Sequence, residues 1–109
     1  MCLALPEAFE VEAWDHPTFR VGSGRGKMFC LAHEEPPSIR FKADPAERPA
    51  LLAQGEPFFV PPYVGHAGWV GMNLDGRTDW TEVAELLAIA YCMVAPKRLA
   101  ALVTEPPAV

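Results

Sequence analysis

Basic residues alternating with apolar ones are the feature of this 109-residue chain with the clearest capacity for chemistry. In Ser38-Ile39-Arg40-Phe41-Lys42, a strand of period two points Ile39 and Phe41 one way and Arg40 and Lys42 the other. In Thr18–Gly22, Phe19 and Val21 oppose Arg20. In Trp69–Leu74, the row Val70, Met72 and Leu74 leaves Trp69, Gly71 and Asn73 on the opposite side. If these strands share one sheet, its open face carries Arg20, Arg40, Lys42, Trp69 and Asn73. Cationic heads around an aromatic ring can hold phosphates and stack a base. Glu10 and Glu12 are placed on the same face, where they offset part of its charge. The plain alternative is a solvated sheet face with Trp69 partly covered by the loop before it.

That loop, Tyr63-Val64-Gly65-His66-Ala67-Gly68-Trp69, is the second candidate. Tyr63, His66 and Trp69, spaced by glycines, would line a pocket for a small molecule or a protein segment; otherwise they cap the edge of the core. Gly22-Ser23-Gly24-Arg25-Gly26-Lys27 looks superficially like a phosphate cradle. It fails the P-loop pattern, because Val21 stands at the first glycine position and Met28 follows the lysine. It reads instead as a hairpin tip whose Arg25 and Lys27 reach a phosphate. His16, His33 and His66 show no metal-ligand spacing, so no metal and no cofactor is expected. No nucleophile–base pair is apparent, and the chain is expected not to be an enzyme.

The elements that must position these groups are marked by twelve prolines. Met1–Leu5 reads as the last turn of a helix whose remainder would precede it. Strands are expected at Glu10–Trp14 and Thr18–Gly22 around an Asp15-His16-Pro17 turn, then at Lys27–His33 and Ser38–Lys42. Asp44-Pro45-Ala46-Glu47 is the predicted start of a short helix ending near Gly55. Phe58–Val60 and Trp69–Leu74 are further strands. Asp79-Trp80-Thr81-Glu82 opens the longest helix, whose stripe Val83, Leu86, Leu87, Ala90, Tyr91 and Val94 faces a core. Ile89 and Met93 are expected to pack on a second side of that core. The predicted architecture is α+β: a two-layer sandwich with an antiparallel sheet and helices on one face. One domain is expected over residues 1–103, with 104–109 a flexible tail.

A 50% apolar composition suffices for a core in a chain this short. The net charge of −5 means that any nucleic-acid binding must come from a local patch and not from the overall field. Cys2, Cys30 and Cys92 form no C-x-x-C pair, which points to a reducing, cytoplasmic setting without disulfides. Cys30 and Cys92 read as small core residues and Cys2 as the exposed one. The most apolar run, Val83–Ala95, is too short to cross a bilayer and no membrane partner is expected. A monomer is the expected state, with a homodimer as the alternative.

Segments in order along almost the whole chain resemble the MmcQ/YjbR family. They are Leu3-Ala4-Leu5-Pro6-Glu7, Lys27-Met28-Phe29, Phe41-Lys42-Ala43-Asp44-Pro45, Val60-Pro61-Pro62-Tyr63-Val64-Gly65-His66, Gly68-Trp69-Val70-Gly71 and Ala95-Pro96-Lys97-Arg98-Leu99. The resemblance implies a fold like that of bacterial frataxin (CyaY-like) and a DNA-binding role with a "double-wing" arrangement. The implied binding is weak, salt-dependent and dominated by phosphate contacts.

Overall fold

The computed structural model describes residues 1–62 and 68–103. The predicted tail, 104–109, lies outside the described residues. A 3-10 turn at Cys2–Ala4 leads into β1 (Phe9–Ala13), β2 (His16–Val21), β3 (Lys27–Glu34) and β4 (Pro37–Lys42). Then come α1 (Arg48–Ala53), β5 (Phe58–Phe59), β6 (Trp69–Asn73), α2 (Trp80–Val94) and α3 (Lys97–Ala100). The six strands form one antiparallel sheet in the order β1-β2-β3-β4-β6-β5, so β1 and β5 are its edges.

Pairing register sorts the side chains into two faces. Cys30↔Phe41, Ile39↔Met72 and Phe41↔Val70 face the helices. There they join Val83, Leu87, Ala90 and Tyr91 of α2, Leu51 of α1 and Leu99 of α3 in one core. Tyr91 is fully buried, meets Phe29 edge-on with centroids 5.5 Å apart, and donates its hydroxyl to the Pro6 carbonyl at 2.6 Å. That bond ties the end of α2 to the chain's first turn. Burial pushes the Tyr91 hydroxyl above its ordinary value, with Cys92 and Glu7 adding to the shift. The capping expected for α2 is present: the Asp79 carboxylate accepts from the Thr81 and Glu82 amides at 3.0 and 3.2 Å.

Several local expectations are corrected. The first hairpin turns at Trp14-Asp15, with φ of 53° and 63°, and not at Asp15-His16-Pro17. The pair Ala13↔His16 leaves only two loop residues, and their positive φ at both positions is that of a type I′ turn, which follows the strand twist. His16 and Pro17 therefore belong to β2. The first helix starts at Arg48, three residues later than the cap pattern implied. Asp44 instead closes a turn ahead of it, accepting from Ala46 on its side chain and from Glu47 and Arg48 on its carbonyl. Cys2 is buried against Cys30 and Cys92 is exposed, the reverse of the reading by apolar runs. Hydrogen bonding with Cys2 and burial push the Cys30 thiol well up. Ile89 and Met93 are 42% and 36% exposed, so they do not pack on a second side of the core. No helix among the described residues is long and apolar enough to cross a membrane.

Candidate functional site: the helix-free face of the sheet

On the face away from the helices, register aligns Val11, Thr18, Leu31, Arg40, Gly71 and Phe59 in a row across all six strands. One flanking row brings His33, Ser38 and Asn73 side by side, and on the other Lys42 stands opposite Trp69. Arg20, paired with Phe9 and Met28, lies on the same face. The strand pattern thus gathers Arg20, Arg40, Lys42, Trp69 and Asn73 on one side. Glu10 pairs with Phe19 and Glu12 with Pro17, which puts both carboxylates on the opposite face. The expected offset of charge is therefore absent from β1's contribution to this side.

Arg40 sits at the centre of that row. Gly71 makes room for it indirectly: a Cβ at Gly71 would lie 2.3 Å from the Phe59 ring, so only glycine lets that ring rest on the sheet. The Arg40 guanidinium carbon then stands 5.6 Å from the Phe59 ring centroid, a cation–π distance. Burial lowers the Arg40 pKa from its ordinary value, yet an arginine remains cationic at neutral pH. Its Nη1 is closed off from solvent and has no hydrogen-bond partner among the described residues. An unpartnered buried donor on a charged group is costly to keep.

Beside Arg40, His16 of β2 and His33 of β3 stack face to face, with ring centroids 3.8 Å apart and planes 12° apart. The sequence separates these residues by two strands and a turn, so no spacing rule could pair them. Burial first, then Arg40, then His16, lowers the His33 pKa from the ordinary 6.5, so the ring is neutral at neutral pH. Parallel rings send their in-plane lone pairs side by side and not toward one point. Among the described residues no group of three or more His, Cys, Asp or Glu comes together to hold a metal.

The remaining candidates are less concentrated. Arg20 is partly engaged, its Nε donating to the Thr18 hydroxyl at 3.1 Å while that hydroxyl donates to the Val11 carbonyl. Trp69 is only 6% exposed, so its ring offers no free surface to a base. Its carbonyl accepts from Arg48 Nε at 3.3 Å. Arg25 is exposed at the Ser23–Gly26 hairpin tip, which the Gly26 amide closes onto the Ser23 carbonyl at 3.1 Å. Gly26, at φ 70°, has a second constraint, since a Cβ there would stand 2.7 Å from the Phe9 ring. Lys27 pairs with Val21 on the helix side and does not join the other cations. Tyr63 and His66 of the predicted ligand loop lie outside the described residues.

The fold is similar to that of Deinococcus radiodurans protein DR2400, a DUF419-domain protein known from its crystal structure. The two share 24% identity and superpose with a TM-score of 0.77 over 99% of this chain and 86% of that one. A crystallised Pseudomonas syringae protein is similar at 16% identity and a TM-score of 0.66, over 82% of this chain and 88% of that one. At such identities the likeness speaks for the fold alone. No curated protein matches the chain. The family model YjbR matches residues 3–93, which include every strand, α1, and α2 almost to its end. On the extent of that match, the chain belongs to the YjbR family.

Proposed function

We propose that this is a non-enzymatic nucleic-acid-binding domain that holds DNA by its phosphates across the helix-free face of the sheet. The observation that carries the reading is Arg40, a part-exposed cation at the centre of that face with Arg20 and Lys42 on the same side. A phosphate oxygen is an acceptor for the exposed part of the guanidinium, and charge-assisted bonds of this kind are the strong ones. Arg20 and Lys42 share the face, while Glu10 and Glu12 point away from it. That arrangement supports local attraction of an anion by a chain of net charge −5. Because Trp69 is buried, the contacts would be to the backbone, with little sequence preference.

The test is fluorescence anisotropy of labelled single- and double-stranded DNA titrated with the protein at low and then physiological salt. Expected is non-specific binding, on the order of 10⁻⁵ M, that weakens steeply as salt displaces it. The Arg40→Ala/Lys42→Ala variant should bind more weakly and lose about one to two units of the log–log salt slope. Absence of binding at low salt overturns the proposal.

A further inference from the structure

We propose that His16, His33 and Arg40 together form a site for a single phosphate group, and that filling it loads a proton onto His33. The inference rests on the reading of this face as anion-binding and deepens it, because it names the contact point and its linkage to pH.

The geometry begins with register. His33 pairs with Ser38, and Arg40 with Leu31, so His33 and Arg40 are diagonal neighbours on adjacent strands. Diagonal positions lie within reach of long side chains, and one tetrahedral anion can span them. His16 supplies the second ring, stacked on His33 at 3.8 Å. Ser38, which is buried, and the part-exposed Asn73 continue the histidine row.

Electrostatics then link the anion to a proton. The groups facing His33 are His16 from β2 and Arg40 from β4, and both oppose a charge on it. Its strand neighbour Glu34 is exposed on the alternate side, and the helices pack on the other face. An empty site therefore holds the ring neutral. An anion seated between Arg40 and His33 meets the charge of the part-exposed Arg40 guanidinium and supplies a countercharge for an imidazolium. Protonated His33 then donates to the anion with a nitrogen that, in the neutral ring, has no such role.

The sign follows from linkage. The anion raises the His33 pKa in the bound state above its depressed value in the free state. Between those two values the complex holds one more proton than the free protein, and affinity falls as pH rises. Below both values, and above both, affinity is independent of pH. Within the window the change approaches tenfold per pH unit for one proton.

The probe is sulfate, a tetrahedral dianion whose own charge is constant across this range, followed by calorimetry and by ring NMR of the full chain. Expected is sulfate binding that tightens as pH falls, with the His33 midpoint displaced upward in sulfate. His33→Gln should flatten the pH dependence, and Arg40→Gln should weaken binding at every pH. If His33→Gln does not fold, the ring titration of the unaltered protein with and without sulfate decides the matter alone. An unmoved His33 midpoint, or sulfate binding with no slope, overturns the inference. A short oligothymidylate forms the second arm and separates a polymer's phosphates from a free anion. Oligothymidylate binding without a pH slope leaves the DNA reading standing and overturns this one. Proton-linked sulfate binding without oligothymidylate binding supports the site and overturns the DNA reading.

Discussion

Two side chains near Arg40 fix what single substitutions should do. His33 is harder to protonate in the folded protein than in the unfolded chain, where it returns to the ordinary value of 6.5. The unfolded state therefore binds more protons once pH falls below about 6.5, and stability must drop there. Urea denaturation at a series of pH values should show this loss, and His33→Gln should remove that part of the slope. Gly71 tests the opposite kind of constraint. Alanine there drives a Cβ into the Phe59 ring, and overpacking of this sort costs about 1–3 kcal/mol. The same change lifts Phe59 from beneath Arg40, so a lower denaturation midpoint should come with weaker anion binding.

Elements differ in how much of themselves they show in the sequence. The long helix α2 was legible because its signals are local: a carboxylate cap at Asp79 and an apolar stripe at helical spacing. Removing that cap by Asp79→Ala should cost about 1 kcal/mol, read as a lower thermal midpoint with unchanged helicity. Strand positions and the assignment of Arg20, Arg40 and Lys42 to one face were legible for the same reason, since alternation is a property of adjacent residues. The His16–His33 stack was not, because it depends on which residue of β2 meets which residue of β3. That register includes an irregularity between Phe19 and Arg20 that no alternation rule places. The side taken by Glu10 and Glu12 was misjudged on the same account. Alternation within β1 defines two faces, and only its partners in β2 choose between them. Asp15-His16-Pro17 misled because its residue types favour turns, while the pair Ala13↔His16 had already assigned His16 to a strand.

For the whole molecule, the one-sided helix layer divides reactivity between inside and outside. Cys2 and Cys30 are sealed in the core and Cys92 lies on the exposed back of α2, with burial raising its thiol pKa. Under native conditions iodoacetamide should modify Cys92 alone and slowly, whereas denaturant should open all three sites together, as mass spectrometry would count. The sheet also has two rims, and they are unlike. β5 ends the sheet with two residues, too few to template a neighbour, but β1 ends it with five. An identical antiparallel strand laid along β1 and centred on Val11 would set Glu10 against Glu12 of the other copy. This repulsion is how a long unpaired strand remains compatible with a dispersed protein. Glu10 and Glu12 thus act as guards against aggregation. Replacing both with valine should turn the first hairpin into a seed for edge-to-edge polymers, which light scattering would register while the freshly isolated protein kept its fold.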